Sequence, residues 1–255
     1  TATTSLPGTK NSNDVSLGDV DGDGDLDAFV VNNAQANQLL LNDGQGVFFE
    51  VTGQLPSTDN DAGYGVELGD VDGDGDLDAF VVNYWGQANQ LLLNDGQGGF
   101  TESVTQLPGN KYSTDISLGD LDGDGDLDAF VVNYNRQANQ VLLNDGEGRF
   151  TAAAIQPSGS GYSTGVTLGD VDGDGDLDAF VANYKGQSNQ LLLNAGDGSF
   201  TESAIQPVHS SYSNDASFGD LDGDGDLDVL VVNDGGTNQI LLNDGNGVFA
   251  EVDVF

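Results

Sequence analysis

Asp19-Val20-Asp21-Gly22-Asp23-Gly24-Asp25-Leu26-Asp27 puts five carboxylates into nine residues, between two apolar runs. The stretch occurs five times, beginning at Asp19, Asp70, Asp120, Asp170 and Asp220. The copies differ only at the second place, which is Val20, Val71, Leu121, Val171 or Leu221. Like charges about 4 Å apart repel by on the order of 4 kcal/mol at an effective dielectric near 20, so a loop of this composition calls for a cation. Its donors are all oxygens, without His or Cys. That set suits Ca²⁺, which takes roughly 6 to 8 oxygen ligands in a flexible shell, better than Zn²⁺, which prefers nitrogen and sulfur.

The spacing shows how the loop can close on an ion. Carboxylates at places one, three, five and nine of the first copy (Asp19, Asp21, Asp23, Asp27) can converge, while Gly22 and Gly24 permit the positive φ angles of a sharp wrap. Asp25, at place seven, offers its backbone carbonyl. An EF-hand begins in the same way but needs a bidentate Glu at place twelve. Place twelve here is Val30, Val81, Val131, Val181 or Val231, so the loop is not an EF-hand.

A fixed period organises everything else. The glycines before the loops, Gly18, Gly69, Gly119, Gly169 and Gly219, are spaced by 51, 50, 50 and 50 residues, so residues 1–255 read as one domain built from five repeats. The 25 Asp of the loops supply most of the 43 acids behind a net charge of −38. Five bound Ca²⁺ would bring that to −28, still too acidic for nucleic acid or an anionic membrane surface as partner. The chain has no cysteine, which removes disulfides and thiol chemistry. No apolar run approaches the roughly 18 residues of a membrane span, so no membrane insertion is expected. Weak, exposed Ca²⁺ sites fit the millimolar Ca²⁺ found outside cells, hence an extracellular or periplasmic location is expected.

The third repeat shows the plan of a unit. Ile116–Gly119 alternates and predicts strand A; the acidic loop follows, then strand B over Leu127–Asn133. Strand C is expected at Asn139–Asn144, an Asp145-Gly146 turn of hairpin type comes next, and strand D runs over Phe150–Ile155. Strands B and C are apolar on both faces, as a sheet held between neighbouring sheets must be, while strand D carries polar residues such as Thr101, Glu102 and Ser103. Four short antiparallel strands per 50 residues predict an all-β fold, a single-chain β-propeller of five blades. A parallel β-helix or open solenoid is the alternative, at a period shorter than this one.

The pattern Leu68 to Asn83, Leu-Gly-Asp-Val-Asp-Gly-Asp-Gly-Asp-Leu-Asp-Ala-Phe-Val-Val-Asn, resembles the FG-GAP/VCBS repeats of integrin α-subunit propellers, secreted bacterial proteins and fungal lectins. That resemblance spans essentially the whole chain and implies one Ca²⁺ per repeat, about five in all. Carried over copy by copy, it implies side-chain ligands Asp19, Asp21, Asp23 and Asp27; Asp70, Asp72, Asp74 and Asp78; Asp120, Asp122, Asp124 and Asp128; Asp170, Asp172, Asp174 and Asp178; and Asp220, Asp222, Asp224 and Asp228. Asp25, Asp76, Asp126, Asp176 and Asp226 would act through their carbonyls. The Gly-Ala-Pro segment of the integrin version is missing, and five units are fewer than the seven usual there.

In a meander the acidic A–B loops share one end with the C–D turns, and the B–C loops share the other with the linkers between repeats. All seven Tyr, the only Trp and four of the five basic residues fall in or beside the loops of that second end. Tyr64, Tyr84, Trp85, Tyr112, Tyr134, Arg136, Tyr162 and Tyr184 are therefore the candidate ligand-binding residues, an apolar platform with polar groups at its edge. Equivalence of Tyr84, Tyr134 and Tyr184 also fits wedges that pack between blades. A non-catalytic binding or adhesion module for a carbohydrate or protein ligand is the leading reading. A lyase-type enzyme and a ligand-free scaffold are the alternatives; the first would need a general base, and one His with no motif around it supplies none. Thr1–Ser5 and Glu251–Phe255 both align with the outer strand, so the ring is expected to close on itself as a monomer.

Overall fold

The computed structural model describes residues 10–252 apart from 57–61, 106, 110, 159–160 and 205–209. His209 and the overlapping segments at 1–5 and 253–255 thus lie outside the described residues. Every regular element among those described is a strand, and they gather into two compact units.

The first unit holds two sheets together with Asn144–Phe150. Strands β1 (Ser12–Gly18), β2 (Asp27–Asn32), β3 (Gln38–Asn42) and β4 (Phe48–Val51) form one antiparallel meander; β5 (Gly63–Gly69), β6 (Asp78–Asn83), β7 (Gln90–Asn94) and β8 (Phe100–Glu102) form the next. The second unit holds β9 (Ser113–Gly119), β10 (Asp128–Asn133), β11 (Gln140–Leu143) and β12 (Thr151–Ala152). In chain order there follow β13 (Ser163–Gly169), β14 (Asp178–Asn183), β15 (Gln187–Ser188), β16 (Gln190–Asn194), β17 (Phe200–Glu202), β18 (Ser210–Ser211), β19 (Ser213–Gly219), β20 (Asp228–Asn233), β21 (Gln239–Asn243) and β22 (Phe249–Val252). Five sheets of four antiparallel strands, one per repeat, are the blades of a β-propeller.

Blades stack through a two-part apolar junction that repeats. In the first unit Val20, Phe29, Val31 and Leu39 of the first blade meet Val66, Ala79, Val81, Leu92 and Phe100 of the second. In the second unit Leu121, Phe130, Val132 and Val141 meet Val166, Ala179, Val181, Leu192 and Phe200. One ring from each side meets edge-on, Phe29 with Phe100 at 5.4 Å between centroids and Phe130 with Phe200 at 5.1 Å. This explains why strands B and C are apolar on both faces: one face serves the blade before, the other the blade after. Burying such a Phe contributes about 1.5–3 kcal/mol.

Strand A bulges at its second residue, where the register slips between Ser12 and Asp14, Gly63 and Gly65, Ser163 and Gly165, and Ser213 and Asp215. The extra residue reaches the next blade: Asn13 Nδ2 donates to Gly63 O at 2.8 Å, and Thr164 Oγ1 to Ser213 O at 2.8 Å.

Two features depart from the sequence expectation. Strand D of the third repeat ends at Ala152 instead of Ile155, because the Gln156 amide takes over its ladder: Val141 N–H donates to Gln156 Oε1, and Gln156 Nε2 donates to Val141 O, both at 2.9 Å. A small two-stranded sheet, β15 with β18, also links a B–C loop to the following linker.

Candidate metal centres and ligand face

Each acidic loop folds on its own first carboxylate. Asp19 Oδ1 accepts Gly22 N–H at 2.9 Å and Asp19 Oδ2 accepts Gly24 N–H at 2.9 Å, a wrap that needs φ of 75° and 94° at the two glycines. The last carboxylate is held from two sides, Asp27 Oδ2 by Val20 N–H at 3.1 Å and Asp27 Oδ1 by Asn42 N–H at 2.8 Å. The same bonds recur at Asp78, with Val71 and Asn94, and at Asp178, with Val171 and Asn194.

Places one, three and nine converge in every copy. One oxygen from each of Asp19, Asp21 and Asp27 lies within 4.8 Å of the others, and the sets Asp70–Asp72–Asp78, Asp120–Asp122–Asp128, Asp170–Asp172–Asp178 and Asp220–Asp222–Asp228 do the same. Place five is not in these clusters; Asp23, Asp74, Asp124 and Asp224 each turn one oxygen to the N–H two residues on. Place seven points its side chain elsewhere. Asp25, Asp76, Asp176 and Asp226 lie against Gly44, Gly96, Gly196 and Gly245 of the C–D turns, where an added Cβ would sit 2.6 Å or less from a carboxylate oxygen. A side chain at those glycines would push the acid away, which is why the turn is Asp-Gly or Ala-Gly in the sequence.

Crowding of negative charge shows in the acidities. Burial pushes the Asp78 and Asp178 carboxyls up to about 6, against the backbone N–H bonds that oppose the shift. Burial, followed by the neighbouring aspartates, raises Asp72, Asp122 and Asp172. Asp72 Oδ1 is moreover buried with no hydrogen-bond partner. A buried, unpaired carboxylate oxygen among two other carboxylates is the environment a hard cation relieves, so the donor set fits Ca²⁺.

A residue type that the sequence reading passed over ties the loops together. Asn94 Nδ2, at the end of strand C, donates to Val20 O of the preceding acidic loop at 2.9 Å; Asn144 to Val71 O, Asn194 to Leu121 O and Asn243 to Val171 O do likewise at 2.8 to 2.9 Å. The turn glycine adds a second bond to the same carbonyl, as Gly148 N–H does to Val71 O at 3.0 Å. The recurrence of Leu-Asn before each C–D turn was the available signal.

At the other end, the aromatic residues pack on one another. In the first unit Tyr84 stacks on Tyr64 at 5.2 Å and meets Tyr112 edge-on at 5.2 Å, with Trp85 5.0 Å from Tyr84 and 64% exposed. In the second unit Tyr134 meets Tyr162 at 5.0 Å, Lys185 Nζ lies 4.1 Å from the Tyr162 ring, and Arg136 lies 5.9 Å from it. Tyr184 meets Tyr212 at 5.0 Å and donates its hydroxyl to Asp234 at 2.8 Å. The B–C loop tips carry backbone strain: Trp85, Asn135, Arg136 and Lys185 all have φ between 57° and 62°, where glycine is the easy choice.

A strand-meander propeller with a cluster of three aspartates in each blade is the class of protein that fold and site define. The FG-GAP-like repeat profile matches residues 19–81, 70–131, 120–181, 170–231 and 220–255, and the chain belongs to that family. In sequence it matches no curated protein. Among solved structures it is similar to an Agrocybe aegerita lectin described as specifically recognising non-reducing terminal N-acetylglucosamine (TM-score 0.66, 20% identity, 95% of this chain and 65% of that one). It is also similar to YCF48 from Cyanidioschyzon merolae (TM-score 0.60, 15% identity, 98% and 74%) and to the Vibrio cholerae biofilm matrix protein Bap1 (TM-score 0.56, 18% identity, 94% and 39%). The chain thus spans just under two thirds of the lectin's length. Identities this low show the fold alone.

Proposed function

We propose that the chain is a Ca²⁺-stabilised, non-catalytic binding module of the extracellular or periplasmic space, with one ion per acidic loop and a carbohydrate as ligand at the aromatic end. The observation that carries the ion reading is the fivefold convergence of three aspartates, one of them with an unpaired buried oxygen. Asp19, Asp21 and Asp27 and their equivalents would hold the ion, which supplies charge compensation and a cross-link between the start and end of the loop.

The sugar reading rests on the other end. The left-handed tip of the B–C loop, which is Ala34 in the first repeat, carries an exposed ring or cation at Trp85, Arg136 and Lys185. An exposed aromatic with polar groups at its edge is what a sugar site uses. The lectin among the similar structures supports a terminal N-acetylglucosamine residue as the first probe. Stacking is worth roughly 0.5–1.5 kcal/mol per ring, so single sites bind weakly and useful affinity comes from several engaged together. Titration of a multivalent N-acetylglucosamine glycan should show saturable binding that Trp85→Ala weakens several-fold without lowering the melting temperature. Tyr134→Ala, whose ring packs on Tyr162, should weaken both. Binding unaffected by either change would reject the aromatic end as the ligand site.

A further inference from the structure

The five copies share one frame, but the tips of their B–C loops differ. In the second, third and fourth repeats the tip is a tight turn that runs from Tyr84 to Gln87, Tyr134 to Gln137 and Tyr184 to Gln187, closed by the Gln N–H on the Tyr carbonyl at 3.3 to 3.4 Å. Both central residues have positive φ: 62° and 73° at Trp85-Gly86, 59° and 62° at Asn135-Arg136, 57° and 72° at Lys185-Gly186. A turn of this kind prefers Asn followed by Gly. Each of the three gives one place to a preferred residue, Gly86, Asn135 or Gly186, and the other to a large side chain that such a backbone disfavours. Turn chemistry therefore does not account for Trp85, Arg136 or Lys185.

In the second unit the two cations come together. Arg136 of the third repeat and Lys185 of the fourth are both exposed, and both lie on the Tyr162 ring, 5.9 and 4.1 Å from its centroid; Lys185 is also 5.1 Å from that of Tyr134. Both turns fix the backbone beneath that ring: Arg136 N–H donates to Gly161 O at 2.7 Å, and Tyr162 N–H donates to Gln187 Oε1 at 2.8 Å. Among the described residues neither cation forms an ion pair, in a chain with 43 acids and only 5 bases. Asp234, a carboxylate of the same end, accepts the Tyr184 hydroxyl at 2.8 Å. An aromatic ring holds a cation in place without neutralising it, and leaves its outward N–H groups free. With Lys185 over it, that face of Tyr162 is closed to stacking. What the second unit offers a ligand here is a planar guanidinium fork and an ammonium gathered on one ring.

We propose that the third and fourth B–C turns form a subsite for the anionic group, carboxylate or sulfate, of an acidic sugar. The subsite deepens the carbohydrate reading above and rests on it. A net charge of −38 repels a long polyanion, so the fit is to a single acidic residue on an otherwise neutral glycan. Trp85, 64% exposed in the first unit, presents an open ring instead. The two units therefore carry sites of different chemistry on equivalent loops.

Titration of three disaccharides into the Ca²⁺-loaded chain, followed by NMR, is the test: chitobiose, its sulfate ester and glucuronyl-N-acetylglucosamine. At least one acidic disaccharide should bind roughly tenfold tighter than chitobiose, the effect of one charge-assisted hydrogen bond, and which one does so separates sulfate from carboxylate. Arg136→Gly gives the third turn the glycine that Gly86 and Gly186 supply in its neighbours, and Lys185→Asn gives the fourth the asparagine of Asn135, so both variants keep turns the frame already uses. Each should lower the acidic-to-neutral affinity ratio severalfold, and the two together should bring it to unity. Arg136→Gly should do so with a melting temperature at or above the parent's, which separates lost charge from lost fold. Equal affinity for the three disaccharides would overturn the subsite and leave the carbohydrate reading standing. A preference for acid that survives the double substitution would overturn it as well. If none of the three binds, the carbohydrate reading fails and the subsite with it.

Discussion

The last aspartates of the second and fourth loops, Asp78 and Asp178, link pH to stability. Asp78 and Asp178 have folded-state acidities near 6, above the roughly 3.9 of an unfolded Asp, so without an ion folding favours their protonated forms. That contribution is present in full below about pH 4 and is lost as pH rises through 6. The Ca²⁺-free chain should therefore melt higher at pH 5 than at pH 7. With Ca²⁺ the order reverses, because proton and ion compete for the same oxygens and apparent affinity falls as pH drops below 6. Scanning calorimetry with and without Ca²⁺ at the two pH values checks both signs. An ion-free chain that melts higher at pH 7 would show that these carboxylates are not crowded as the geometry has them.

At the scale of the element, the unit that matters is loop plus turn. The acidic A–B loop receives its closing bonds from the C–D turn of the following blade, through Asn94 to Val20 and Asn194 to Leu121. Replacing Asn194 with Ala removes one donor from Leu121 O, which keeps its bond from Gly198 N–H at 2.8 Å, and one from the part-buried Leu177 O. A lost hydrogen bond of this kind costs about 0.5–1.5 kcal/mol. Asn194→Ala should lower stability by about that much and also weaken Ca²⁺ binding at the loop starting at Asp120, which a paired urea melt and calcium titration would register. A loss of stability with unchanged affinity would mean that the bond joins blades without shaping the ion loop.

For the whole molecule, the proposed ions would act as staples in a chain that has no cysteine. An ion that binds only the folded state stabilises by about 2.7 kcal/mol at a hundredfold excess over its dissociation constant, and sites on separate blades add. Removing Ca²⁺ with a chelator at pH 7 should lower the melting temperature by tens of degrees and make the transition less cooperative. Unchanged melting would mean that the apolar junctions hold the blades without help from the loops.

The repeat itself determined most of this protein. Five copies of one loop at a 50-residue period define the blades, and the apolar runs on either side of each loop define strands B and C, because a sheet covered on both faces needs a continuous apolar run. The wrap at Gly22 and Gly24 was legible for the same reason: local backbone geometry follows from local residues. Three things were decided only in three dimensions. Gln156 ends a strand by replacing its partner from a distance, and Asn94 closes a loop 74 residues earlier in the chain, contacts that no local pattern records. The aromatic residues of this end divide into the partly buried Tyr84, Tyr112, Tyr134, Tyr162 and Tyr184 and the exposed Tyr64, Trp85 and Tyr212, a distinction set by what each ring finds beside it. Last, the seventh-place aspartates Asp25, Asp76, Asp176 and Asp226 come to lie against Gly44, Gly96, Gly196 and Gly245 of the C–D turns, a pairing of two local patterns that is set by the fold that brings loop and turn together.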